Sequence, residues 1–210
     1  MQKIIVLFGL LIICVQLFSQ DLEIKPNDDK SAKSIFHAAP VLGVNFSQVV
    51  GDFLDGYDKI GIVSGGYAQI NFTPFWAIGI EALYSQKGSK GNYLDTIINS
   101  TTKYKLKLNY AEIPITIRYT DKHIHFYAGA SYARLVNFKE TFNEIESKFV
   151  DNKIPYKNQD ISFIGGIVGL PIAKLGIDLR FQKSLTSITI SGKRDSQVNK
   201  LLSLRVFYFI

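Results

Sequence analysis

The sequence predicts an all-β fold, an eight-stranded antiparallel up-and-down transmembrane β-barrel. Three observations carry that expectation. Two-residue alternation recurs about eight times after residue 35, and helical spacing is absent. Connections between the alternating stretches are short and long in turn. Within each stretch one face is large and apolar, while the other is small, polar or charged.

The first strand is expected at 36–47, with Pro40, Leu42, Val44 and Phe46 opposite Gly43, Asn45 and Ser47. The second is at 59–72, with Ile60, Ile62, Ala68, Ile70 and Phe72 opposite Gly61, Gly65, Tyr67, Gln69 and Asn71. The third, 76–87, sets Trp76, Ile78, Ile80, Ala82 and Tyr84 against Gly79, Glu81 and Ser85, and Leu83 breaks the pattern. The fourth, 103–119, begins with Leu106, Leu108 and Tyr110 on its apolar face and continues with Ile113, Ile115, Ile117 and Tyr119. That change of parity predicts a one-residue slip, the signature of a β-bulge, near Pro114. The fifth is at 123–134, the sixth, rich in glycine, at 160–170, the seventh at 173–181 and the eighth at 200–210.

Short links follow strands two, four and six, and long ones are expected at 48–58, 88–102, 135–159 and 184–199. Short periplasmic turns and longer external loops are the barrel pattern, and an even strand number puts both termini on the periplasmic side.

Which solvent each face meets decides the protein class. In "AKLGIDLRF" (173–181), Leu175, Ile177, Leu179 and Phe181 alternate with Lys174, Gly176, Asp178 and Arg180. A soluble sheet would turn the leucines inward, whereas a membrane barrel turns them to lipid. The apolar faces assigned to the strands carry no charge, and a charge at the bilayer midplane costs roughly 2–4 kcal/mol. The opposite faces are mostly Gly, Ser, Asn and Tyr with a few charges of both signs, which suits a narrow lumen filled by side chains. Glu81, Glu112 and Asp178 are expected to pair there with Arg118, Arg180 and Arg205 as a structural cluster, with Lys105, Lys107 and Lys174 also turned inward.

The run Ile4–Phe18 follows Lys3 and ends in "LFSQD", which reads as a secretory signal peptide over residues 1–20 cleaved near Ser19 or Gln20. Its removal takes away Cys14, the single cysteine, and changes the formal net charge from +6 to +5 through Lys3. Residues 21–35 read as a short flexible periplasmic segment, and 36–210 as the barrel. No basic patch with interleaved aromatics is present, so nucleic acid is not expected as a partner. The 15 Phe and 11 Tyr would suit aromatic girdles at two membrane interfaces.

No cofactor, metal or catalytic residue is expected. His123 and His125 share a face but lack a third ligand. "GGIVG" (165–169) has no following Lys-Ser/Thr, and its glycines are read as room for a lumen aromatic. No nucleophile elbow occurs. Lys and Arg in 85–92 and 191–195 are read as solvated loop tips within reach of lipopolysaccharide phosphates. Phe138, Phe142, Phe149 and Tyr156 fall in the longest expected loop and are the candidate contact for an envelope or secretion protein.

"GVNFSQVVGD" (43–52), "IEALYSQKGSKG" (80–91) and "LNYAEIPITIRY" (108–119) together resemble the PorT-like outer-membrane β-barrel family of Gram-negative bacteria with type IX secretion. Ala111 stands where that family usually has Leu, and the chain ends in Ile210 where such barrels often end in Phe, a position read by the barrel-assembly machinery during insertion. The resemblance implies an outer-membrane location and an eight-stranded barrel, and no activity. The function expected is therefore non-enzymatic, structural or partner-binding. A narrow solute pore, a component associated with type IX secretion and a soluble lipocalin-like ligand binder are the alternatives.

Overall fold

The computed structural model describes residues 35–210 except 53, 55, 96–99, 122, 123, 144, 147–154, 173 and 191–195. The proposed signal peptide and most of the segment at 21–35 lie outside the described residues.

The strands are β1 (Phe36–Val50), β2 (Lys59–Asn71), β3 (Trp76–Asp95), β4 (Ser100–Thr120), β5 (Ile124–Phe142), a two-residue β6 (Ile145–Glu146), β7 (Gln159–Ile172), β8 (Leu175–Ser184) and β9 (Val198–Tyr208). All pairings are antiparallel, the order runs β4-β3-β2-β1-β9-β8-β7-β5, and β4 pairs with β5 to close the ring. Eight long strands thus form a barrel without edges, while β6 only extends β5 at the long-loop end.

The apolar rows face outward. Ile177 and Leu179 are exposed, while Asp178 and Arg180, one residue along, are 0% and 2% exposed. On β3, β4 and β5 the outward rows run Trp76–Tyr119–Phe126, Ile78–Ile117–Ala128, Ile80–Ile115–Ala130 and Ala82–Ile113–Tyr132, ending at Tyr84–Ala111–Arg134. At a rise of ~3.3 Å per residue and a tilt of ~40°, Trp76 and Tyr84 stand ~20 Å apart along the barrel axis. That is close to the ~25 Å apolar band of outer-membrane barrels, with aromatics at its rims. Phe75 stacks on Tyr119 at 6.2 Å and Trp76 meets Tyr119 edge-on at 5.4 Å at the short-turn rim.

The expected parity change in β4 does not occur. Leu106, Leu108, Tyr110, Glu112, Thr116 and Arg118 all face inward, and Lys105, Lys107, Ile113, Ile115 and Ile117 all face outward. The backbone keeps its register, and what inverts is the polarity of each face. Toward the long-loop end the barrel rises above the apolar band, where water lies outside and the interior must supply the core. The irregularity is on β5 instead: Asn109 pairs with Asn137 and Tyr110 with Leu135, leaving Val136 as the extra residue. Pro114 sits in regular register opposite Ser131.

This corrects several expectations. Lys105 and Lys107 point out of the barrel, and Lys174 is exposed in the β7–β8 turn, so none of the three joins the lumen. Residues 85–92 belong to β3 and 135–142 to β5, so the expected loop 88–102 is largely replaced by strand and the expected loop 135–159 is shortened at its start. Gly88, outward on β3, has φ 142°, where a side chain would be strained. Leu83 fits the alternation as an inward residue opposite Glu112.

Candidate functional site

Among the described residues the lumen gathers buried charges of both signs, and it is built in layers. At the short-turn end Ala39, Val41, Tyr67, Val168 and Phe207 form a buried apolar cluster against which Leu170 and Phe209 pack. Tyr67 meets Phe207 edge-on at 5.2 Å, and Phe207 stacks on Phe209 at 6.1 Å.

Above this lies an ion-pair layer. Glu81 on β3 accepts from Arg118 Nη2 at 3.3 Å, Arg180 Nη2 at 2.5 Å and Arg205 Nη1 at 2.7 Å. Arg205 Nε donates to Asp178 Oδ2 at 2.6 Å, and the Tyr127 hydroxyl donates to Asp178 Oδ1 at 2.8 Å. Arg118 lies between two rings, 4.3 Å from Tyr67 and 4.5 Å from Tyr127. Gly79 makes that possible, because a Cβ there would stand 2.8 Å from Arg118 Nε and 2.9 Å from Tyr67 Cε2. Gly166 does the same for Tyr127, whose ring lies where its Cβ would be.

A second layer holds Glu112. Its Oε1 accepts from Ser131 at 2.6 Å and Gln182 at 2.7 Å, and Lys87 Nζ lies 3.1 Å from its Oε2 and 3.6 Å from Asp160 Oδ2. Asn199 Nδ2 donates to the same Asp160 oxygen at 2.9 Å. Glu81, Asp178, Arg118, Arg180 and Arg205 thus meet in one layer, and Glu112 stands in the next with Lys87 and Asp160. Sequence reading missed those two partners because Lys87 and Asp160 sit at the expected ends of their strands. Across both layers Lys87, Arg118, Arg180 and Arg205 face Glu81, Glu112, Asp160 and Asp178, four charges against four.

The long-loop end is closed by a second apolar cluster. Val49, Tyr104, Leu106, Leu108, Tyr110, Ala133, Tyr156 and Ile188 are buried together, with Leu54, Tyr93, Leu135 and Phe138 packed on them. Tyr156 pairs with Thr189 in an isolated bridge, and Lys157 N donates to Ile188 O at 2.7 Å, which folds 155–158 against 187–190 over the opening. The Tyr104 hydroxyl donates to Glu140 Oε1 at 2.7 Å, and burial first, then the neighbouring Tyr156 and Glu140, push that phenol far above its ordinary range.

Of the aromatics assigned to partner binding, Tyr156 is buried in this cap and Phe138 is half-buried against it, while Phe142 is 38% exposed. Phe138 packs edge-on against Tyr156 at 5.3 Å, Tyr156 is 1% exposed, and Phe142 contacts Tyr104 at 5.0 Å. The reason is that β5 continues through Phe142 and the extra residue at Val136 shifts its parity, which turns Phe138 inward opposite Leu108. Phe149, His123 and 191–195 lie outside the described residues. His125 is half-buried near the short-turn rim. Among the described residues no group of three metal-ligating side chains occurs.

Lys59 enters β2 about five residues above Ser64, which pairs with Tyr84 at the top of the apolar band, so it lies outside the membrane-spanning part. Burial, and then Lys105, Lys107 and Lys90, lower its pKa from 10.5 to about 8. The ammonium is harder to keep in the fold than in the unfolded chain, so its cost is full below pH 8 and is relieved as pH rises to 10.5. Relative to Lys59→Met, the wild type should gain stability across that window and hold a constant difference below it, read by urea unfolding in detergent.

A family model for an outer membrane protein beta-barrel domain matches residues 18–189. No curated protein matches the chain. Among solved structures, Ail, the attachment invasion locus protein of Yersinia pestis, aligns with a TM-score of 0.51 at 12% identity, covering 84% of this chain and 100% of that one. Neisserial surface protein A aligns with a TM-score of 0.51 at 12% identity, covering 83% of this chain and 97% of that one. At such identity the likeness is one of fold, which agrees with the closed ring of eight long strands. The chain is a small outer-membrane β-barrel protein and belongs to the outer membrane protein beta-barrel domain family.

Proposed function

We propose that this protein is a closed, non-conducting and non-enzymatic barrel that mounts a rigid extension of its strands on the outside of the outer membrane. The layered lumen carries this reading: an apolar cluster at each end encloses charges that are already paired. A hydrated path would have to pass Tyr67 and Phe207 at one end and Tyr104 and Tyr156 at the other, and each of these is 3% exposed or less. Glu81 and Asp178 are held by arginines, and Glu112 and Asp160 share Lys87, so the lumen carboxylates are committed to partners within the wall.

In this reading the signal peptide directs export, both termini are periplasmic and the long-loop end is external. The resemblance to PorT-like barrels supports an envelope role of this kind. Planar-bilayer recording of the full chain should show no stable open steps. Discrete, long-lived conductance steps would replace this reading with the narrow pore.

A further inference from the structure

We infer that the external rim of this barrel binds the phosphate groups of outer-leaflet lipid through a collar of lysines on its outer wall, an inference that rests on the orientation proposed above.

The observation is a one-sided distribution of charge. Among the described side chains, every charged residue at an outward strand position is a cation, and every strand carboxylate faces inward. The outward cations also gather at one end. Lys90 pairs directly across from Lys105 on β3 and β4, and Lys107 directly across from Lys139 on β4 and β5. On the opposite wall Lys183 pairs directly across from Lys200 on β8 and β9. Like charges at directly opposed positions destabilise a sheet unless something between them neutralises the pair. Among the described residues Lys90, Lys105 and Lys107 make no ion pair.

Their height identifies the occupant. The row holding Gly88 and Lys107 is twelve residues above Trp76, and at ~2.6 Å per residue along the axis it stands ~30 Å up, just past the ~25 Å apolar band. A phosphate group attached to acyl chains that pack on Ile113 and Ile115 would reach Lys107 and Lys105 without leaving the wall. Long lysine stems lie along apolar surface and present their ammonium at the headgroup level. The lysines also act on one another: Lys105, Lys107 and Lys90 help pull Lys59 down to about 8, after burial.

The test uses the full chain in dodecyl maltoside, with lipid A carrying its phosphates and lipid A from which they have been removed, read by native mass spectrometry. Wild type should hold the phosphorylated lipid at least tenfold more tightly, and Lys105→Gln/Lys107→Gln should lose that preference. The same double variant should melt higher than wild type in maltoside alone and lower once phosphorylated lipid is added, a sign reversal that a misfolded variant does not give. Equal binding of the two lipids by wild type, an unchanged preference in the variant, or displacement of the lipid by millimolar inorganic phosphate would each overturn the inference. The orientation is read separately, by labelling Asn92→Cys in intact cells with an impermeant maleimide. Absence of labelling there, with the lipid preference intact in detergent, would overturn the proposed external placement and with it the outer-leaflet occupant.

Discussion

Glu81→Gln should weaken the barrel by about 3–5 kcal/mol, the cost of removing one partner from a buried ion cluster. Three guanidiniums, those of Arg118, Arg180 and Arg205, converge on that one carboxylate, and all three side chains are 1–2% exposed. The amide keeps the volume and one acceptor but removes the charge that holds the arginines together. Urea unfolding in detergent, followed by Trp76 fluorescence and by the heat-shifted gel mobility typical of folded barrels, would measure it. Adding Arg180→Met to Glu81→Gln restores the balance of charge and should recover part of the loss. A single variant within 1 kcal/mol of wild type would mean that water or counter-ions reach the cluster.

Ile115→Lys should cost about 2–4 kcal/mol in a bilayer, because its row lies near the middle of the apolar band. Lys103→Ile, twelve residues back on the same strand and the same outward face, should stay within about 0.5 kcal/mol. The two substitutions share a strand, a face and a pair of residue types, so only the surrounding medium separates them. Equilibrium folding into phosphatidylcholine vesicles measures both. Equal small effects would place Ile115 in water and end the membrane assignment.

That contrast also explains which parts of the fold were legible in the sequence. The strand class, the number of long strands and the outward set in β1, β2, β8 and β9 follow from alternation, because within the band one face always meets lipid. The upper halves of β3, β4 and β5 do not follow from the same rule. Above the bilayer Leu106 and Leu108 turn inward for the same reason that Ile113 and Ile115 turn outward, since each avoids the water or charge on its other side. Read with a single rule, that inversion resembles a slip in β4, and it sent Lys105 and Lys107 to the wrong side. The bulge at Val136 had no signal of its own, as a valine fits a regular strand equally well. In the lumen, alternation places Glu81, Asp178, Arg118, Arg180 and Arg205 on inward faces, while their grouping into one layer depends on the stagger between strands. That stagger separates Glu112 from them by one layer and brings it to Lys87.

The shared carboxylate also bears on how such a wall enters a membrane. The hairpin of β8 and β9 arrives with two guanidiniums and one acid, Arg180 and Arg205 with Asp178, and the acid that completes the set sits on β3, early in the chain. The hairpin of β8 and β9 is not electrically finished until it meets β3. A hairpin that slid into the oil by itself would carry an orphan cation with it, so circularisation and insertion belong to one concerted event.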